Sequence, residues 1–89
     1  MDRMSDVARY AEEIRTIVCE ALLIPRDELT ASTLFDDIGL TSRQRIQLLA
    51  RVEVHFEVTV DLDELDRLTD VNGVAEVIAE ALAARHTTG

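Results

Sequence analysis

The chain has 89 residues, of which 47% are hydrophobic, so it is long enough for one domain and too apolar for a disordered segment. Its formal net charge of −9 excludes general binding to nucleic-acid backbones and to anionic membranes, because both require positive charge. A single cysteine, no secretion signal at the start and no run of about 18 apolar residues predict a cytoplasmic protein.

A first amphipathic helix is predicted from Ser5 to Leu23, with Ser5 as its N-terminal cap. Its apolar residues form one helical stripe, which consists of Val7, Tyr10, Ala11, Ile14, Ile17, Val18, Ala21 and Leu22. Pro25 is expected to end this helix just after Ile24, because the residue before a proline avoids the helical conformation.

A long connection is predicted over residues 24–41. A loop of this length in a small domain tends to be functional. Apolar side chains punctuate it, which predicts a loop pinned onto the core; they are Leu29, Leu34, Phe35, Ile38 and Leu40. A short helical turn is expected near Leu34–Asp37.

A second helix is predicted from Ser42 to about Phe56. Thr41 followed by Gln44 three residues later gives the capping-box pattern at its start. The predicted inward stripe consists of Ile46, Leu49, Val52 and Phe56, with Leu48 and Val54 off that line.

The remaining chain predicts an extended connector over residues 58–62 and a short helix that begins at Asp61. A last helix is expected after Thr69 or Asp70, with an apolar face of Val71, Val74, Val77, Ile78, Ala81 and Leu82, and a frayed end over residues 86–89. The predicted fold is therefore all-α, a four-helix bundle of three longer helices and one short helix. It forms a single domain over residues 1–89 with an ordered core of about 5–84.

Familiar catalytic patterns are missing from the sequence. The two histidines lie far apart, and there is no metal-ligand spacing and no glycine-rich phosphate loop, so we expect neither catalytic residues nor a metal site. Cys19 lies beside the apolar stripe of the first helix and is expected to be a buried or boundary thiol.

Ser42 is the residue of greatest chemical interest. It follows Gly39 and the cap residue, so its hydroxyl is expected to project from the first helical position. The unpaired N–H groups and the positive dipole end at such a position favour a phosphate ester. Serine is also common at helix starts for structural reasons alone, and local physics by itself favours that simpler role.

The stretch D-D-I-G-L-T-S, followed by I-x-x-L-x-x-V-x-x-x-F and V-T-V, resembles the acyl and peptidyl carrier protein family. That family shows D-x-G-x-D-S-L, a helix with L-x-x-x-L-E, and then a phenylalanine with a short apolar alternation. The matching residues are Asp37, Gly39, Ser42, Leu48, Leu49, Val52, Glu53, Phe56, Val58 and Val60. Residues 68–71 also resemble the opening of the family's last helix, and Leu34–Phe35 its loop anchor, so the resemblance covers about residues 7–83.

The resemblance implies that Ser42 carries 4′-phosphopantetheine, attached from coenzyme A by a separate phosphopantetheinyl transferase. The thiol of this group would hold an acyl or aminoacyl cargo as a thioester and present it to a loading enzyme and to a downstream synthase or transferase. The implied protein is a stand-alone, monomeric carrier without catalytic activity of its own. It would serve polyketide, fatty-acid or nonribosomal peptide synthesis, with no nucleic-acid or membrane partner.

Two residues beside Ser42 depart from the family pattern. Thr41 stands where the family has an aspartate, and Arg43 stands where it has a leucine. Thr41 keeps the helix cap but removes a negative charge near the hydroxyl, which affects recognition by the transferase. Arg43 removes an apolar contact that family members offer to partners.

The second helix also carries unusual charges. It contains Arg43, Arg45 and Arg51 and no acidic residue before Glu53. One interpretation is that these arginines, with Thr41 and Asp37, bind a partner whose docking surface carries carboxylates. The alternative is a solvated polar face that balances a very acidic chain.

Two functions are compatible with these patterns. The first is the carrier protein just described, and the second is an interaction module with the carrier fold that is never modified. Attachment of phosphopantetheine at Ser42 separates the two.

Overall fold

Three α-helices and one shorter helix make up the molecule. The computed structural model describes residues 3–87, and the side chains of residues 6–84. Helix α1 spans Arg3–Leu22, α2 spans Ser42–Phe56 and α3 spans Val71–Thr87, while a short 3₁₀ helix spans Leu62–Arg67. Two further 3₁₀ turns, Arg26–Glu28 and Phe35–Ile38, lie in the connection between α1 and α2. Residues 3–87 contain no strand, which confirms the predicted all-α bundle with its long first loop.

Helix α1 begins earlier than its sequence pattern suggested. It already includes Arg3, so Ser5 lies inside the helix and the prediction of Ser5 as its cap was wrong. Arg3 and Met4 are good helix formers, and neither stops the helix from extending by half a turn. The helix ends at Leu22 because Leu23 is left-handed at φ 57°, and the N–H of Ile24 donates to the carbonyl of Cys19 at 3.0 Å.

One hydrophobic core joins the three α-helices and the loops between them. Helix α1 packs more extensively against α3 than against α2. The buried residues are Ala11, Ile14, Val18, Cys19, Leu29, Phe35, Leu40, Leu48, Leu49, Val52, Val58, Val60, Leu68, Val71, Val74, Ala75, Val77 and Ile78. The apolar faces predicted for α1 and α3 both contribute to this set, and Cys19 is a buried thiol as expected.

Helix α2 is rotated relative to its predicted stripe. Leu48 is buried, whereas Ile46 is 45% exposed, so the predicted inward role of Ile46 was wrong. Arg45 takes the inward place instead, and its side chain lines a small interior cavity together with Leu48 and Leu49. The stem of an arginine can pack like an apolar chain while its charged end reaches the surface.

The long loop is fixed to the core, as its apolar residues predicted. Leu29, Phe35 and Leu40 are buried, and the N–H of Phe35 donates to the carbonyl of Thr69 at 2.8 Å. Leu34 is 46% exposed, so only the phenylalanine of the predicted Leu34–Phe35 pair anchors the loop. This anchoring fixes the chain immediately before α2.

The short helix and the start of α3 are in close contact. Asp61 caps the short helix by accepting a hydrogen bond from the N–H of Asp63. The N–H of Gly73 donates to Asp70 at 2.7 Å, which places the start of α3 where the sequence predicted it. A Cβ atom on Gly73 would lie only 2.3 Å from the carbonyl oxygen of Arg67. The glycine therefore permits this approach of the two backbones.

The C-terminal helix extends further than the sequence analysis predicted. Helix α3 continues through Thr87, so the predicted fraying was wrong for the backbone of His86 and Thr87. Thr88 and Gly89 lie outside the described residues. Within residues 3–87, no helix is both long and apolar enough to cross a membrane.

Candidate functional site: the start of helix α2

Ser42 is the first residue of α2 and is exposed. The chain reaches it through Gly39, which is left-handed at φ 76°, and through Leu40, which is buried. The N–H of Leu40 donates to the carbonyl of Phe35 at 3.0 Å, so the backbone just before the serine is fixed. No described residue forms a hydrogen bond with the Ser42 hydroxyl, which therefore stands free at the helix start.

A capping box defines this helix start. The N–H of Gln44 donates to Oγ1 of Thr41 at 3.1 Å, and the N–H of Thr41 donates to Oε1 of Gln44 at 2.9 Å. A helix leaves four N–H groups without partners in its first turn, and the box satisfies two of them. The two that remain belong to Ser42 and Arg43, for which no described residue supplies an acceptor.

These features fit a phosphodiester on Ser42. Two backbone donors and the positive end of the helix dipole lie next to the hydroxyl, and a phosphate carries the complementary charge. Thr41 serves as the cap in place of the family's aspartate, so the helix start is retained and only the charge is lost. Of the residues proposed to bind partners, Asp37 and Thr41 are both exposed near the serine.

The three arginines of α2 have different environments. The guanidinium of Arg45 forms an ion pair with Asp36, and the Arg45 side chain is only 19% exposed. Its Nε atom is buried and has no hydrogen-bond partner among the described residues. Arg43 and Arg51 are exposed. Arg45 is thus engaged inside the chain, while the other two arginines face solvent.

Sequence reasoning missed Asp36 as part of this site. Asp36 and Arg45 are nine residues apart, and the 3₁₀ turn Phe35–Ile38 brings them together. No short-range spacing signals such a pair, because the contact depends on how the loop folds over α2. Among the described residues, no three His, Cys, Asp or Glu side chains are grouped so that they could hold a metal ion.

Comparison with known proteins assigns the chain to a family. The family model described as "Phosphopantetheine attachment site" matches residues 12–78, which include the start of α2. The chain is 40% identical over 77 residues to polyketide-8 synthase acyl carrier protein 1 of Streptomyces avermitilis, covering 85% of this chain and 90% of that protein. It is 31% identical over 90 residues to an acyl carrier protein of Streptomyces coelicolor, covering 94% of each.

A similar segment also occurs inside much larger proteins. The methylphloroacetophenone synthase of Cladonia uncialis is 29% identical over 55 residues, which cover 62% of this chain and 2% of the synthase. The family model and the two Streptomyces relatives cover most of the present chain. The chain therefore belongs to the acyl carrier protein family, whose members hold their cargo on a covalently attached 4′-phosphopantetheine.

Proposed function

We propose that Ser42 is the residue that receives the phosphopantetheine of this carrier. The observation that carries the proposal is an exposed hydroxyl at the first position of α2, beside two N–H groups that have no acceptor among the described residues. Ser32 also lies within the described side chains, but it belongs to the loop and has no helix start beside it. Ser42 also matches the serine of the family motif.

The residues around Ser42 have distinct parts in this proposal. When bound, the group supplies the terminal thiol that holds the cargo as a thioester. The N–H groups of Ser42 and Arg43 stabilise the negative charge of the phosphate. The Thr41–Gln44 capping box fixes the backbone at the helix start, and with it the direction in which the Ser42 side chain projects. The carrier itself positions the cargo, and its partner enzymes catalyse the reactions.

The partners follow from this assignment. We propose a phosphopantetheinyl transferase, an enzyme that loads an acyl group, and a downstream synthase or transferase. The S. avermitilis relative is named for a polyketide synthase, which supports polyketide synthesis as the pathway. We further propose a cytoplasmic, monomeric protein in which residues 1–89 form one carrier domain with an ordered core of about 5–84.

Attachment is tested by intact mass after incubation with coenzyme A, a divalent metal and a promiscuous phosphopantetheinyl transferase. We expect the wild-type mass to increase by one phosphopantetheinyl group. The increase should be lost in Ser42→Ala and retained in the matched control Ser32→Ala. Circular dichroism of both variants should match the wild type, because the Ser42 side chain is exposed.

A different pattern of masses would overturn the assignment. An increase that persists in Ser42→Ala would place the group on another residue. A wild-type mass that does not change would favour the second function, an unmodified interaction module. The departures at Thr41 and Arg43 are the observations that favour this alternative.

A further inference from the structure

One face of α2 is open to solvent along the length of the helix. Its members follow helical spacing and are all exposed; they are Arg43, Ile46, Gln47, Ala50, Arg51 and Val54, here called the outer face of α2. The opposite face of the helix is buried in the core. The outer face begins at the residue next to Ser42.

The two arginines of the outer face differ from the other described arginines. All nine basic residues of the chain are arginines, and seven of them have described side chains. Five form ion pairs: Arg9 with Asp6, Arg15 and Arg26 with Glu12, Arg45 with Asp36, and Arg67 with Glu64 and Glu80. Within the described residues, Arg43 and Arg51 form none.

This absence is informative because the chain is so acidic. It has 18 acidic residues against 9 basic ones, yet two exposed arginines on one helix face have no carboxylate partner in the described part of the chain. The positive charge of the outer face is therefore available to another molecule. A complementary partner surface must be acidic there, although most of this protein is acidic too.

Apolar side chains accompany these arginines on the outer face, with Ile46 and Ala50 between them along the helix and Val54 beyond Arg51. Val54 is 79% exposed and Ile46 is 45% exposed, and Ala50 lies between them on the same face. Ala50, Arg51 and Val54 also line a shallow groove between α1 and α2, in which Ile17 and Glu20 form the α1 side. An apolar centre with charged residues at its rim is the usual composition of a protein–protein interface.

We propose that the outer face of α2 docks a partner enzyme whose contact surface places carboxylates around a small apolar patch. The carboxylates would accept hydrogen bonds from Arg43 and Arg51, and the patch would cover Ile46, Ala50 and Val54. This inference rests on the proposed function, since an enzyme docked here lies next to Ser42. A nucleic acid is disfavoured, because its phosphates would meet the acidic remainder of the surface.

The inference can be tested without the phosphopantetheine group and without a known partner enzyme. The probe is a synthetic amphipathic helical peptide with leucine on one face and glutamate at its flanks. An isomer with lysine in place of glutamate is the comparison peptide. Both are titrated into the full ¹⁵N-labelled Ser42→Ala chain at about 0.1 M salt, where the Debye length of about 10 Å screens long-range repulsion.

We expect the glutamate peptide to shift the amide resonances of the outer face despite the net charge of the protein. The lysine peptide should instead shift resonances near the acidic residues. In the double variant Arg43→Glu, Arg51→Glu the affinity for the glutamate peptide should fall about tenfold, because two exposed ion pairs are lost. The single variant Arg9→Glu changes the charge on α1 and should leave the affinity unchanged.

Three results would overturn the inference. They are no shifts on α2, an equal response in the double variant, and outer-face shifts that depend on protein concentration without peptide. The last result would show that a second copy of the chain covers this face. None of these results bears on attachment at Ser42, because the serine is absent from the tested chain and attachment is measured separately by mass.

Discussion

At the scale of single residues, the contact with Asp36 distinguishes Arg45 from the other two arginines of α2, although the three look alike in the sequence. The Arg45 side chain is 19% exposed, while that of Asp36 is 81% exposed. The pair ties the 3₁₀ turn of the long loop to α2, one turn after Ser42. Arg45 therefore has a structural contact, and a docking role for it stays a prediction.

We predict that Arg45→Glu destabilises the fold by about 2 kcal/mol, because it places a half-buried carboxylate beside Asp36. Arg45→Met keeps much of the apolar stem and removes the buried, unpaired Nε, so its effect should stay below about 1 kcal/mol. The control Arg51→Glu should change stability by less than about 0.5 kcal/mol, because Arg51 is exposed. Urea unfolding measures all three, and equal stability of Arg45→Glu and Arg51→Glu would contradict the argument.

The predictability of the site also depends on single residues. Thr41, Ser42 and Gln44 define the helix start through contacts three residues apart, so the sequence predicts it correctly. The Arg45–Asp36 pair could not be predicted, because it requires the path of the loop. The attachment role proposed for Ser42 rests on the family motif, since local physics alone left a simple structural role open.

At the scale of elements, the boundaries of α2 were easier to predict than its rotation. Helix α2 has apolar residues at positions that allow two overlapping stripes, one through Ile46 and one through Leu48. Packing against the rest of the core selects the stripe with Leu48, and the stem of Arg45 completes it. Rotation was thus decided by tertiary contacts that a single helix pattern does not contain.

The junction of the short helix with α3 depends on Gly73. Arg67, at the end of the short helix, donates two hydrogen bonds to Glu80 of α3 at 2.7 and 2.8 Å. These hydrogen bonds raise the pKa of the Arg67 guanidinium above its ordinary value. The same residue's carbonyl oxygen occupies the space that a side chain on Gly73 would need. The two elements therefore meet backbone to backbone.

We predict that Gly73→Ala lowers the free energy of unfolding by about 2 kcal/mol, because the new methyl group meets the Arg67 carbonyl. Glycine to alanine within a helix would ordinarily be stabilising, so the sign of the change tests the close contact. Gly39→Ala provides a comparison, since it has open space but a φ of 76°, and should cost about 1 kcal/mol. Urea unfolding distinguishes them; a more stable Gly73→Ala variant would refute the packing argument.

At the scale of the whole molecule, charge repulsion acts against the compact state. The net charge is −9, and the short helix alone contains Asp63, Glu64 and Asp66. Repulsion among exposed carboxylates is screened by salt. The ion pairs of the described residues are largely exposed, so salt weakens them as well, but each contributes little.

We predict that raising the salt concentration from about 0.01 M to about 0.2 M raises the thermal midpoint of unfolding, because the Debye length falls from about 30 Å to less than 10 Å. The double variant Asp63→Asn, Asp66→Asn should show a higher midpoint at low salt and a smaller response to salt. Differential scanning calorimetry gives both quantities. A midpoint that falls with salt would mean that ion pairs outweigh repulsion.

The burial of Cys19 has a practical consequence for work on this carrier. Cys19 is the only cysteine of the chain and is 6% exposed within the core. Alkylating reagents attack accessible thiolates, so in the folded protein they will react with the free end of the prosthetic group and leave Cys19 intact. An acylated end is blocked. Maleimide uptake by the native protein therefore counts the carriers that bear the prosthetic group without cargo. The cysteine need not be mutated for this measurement.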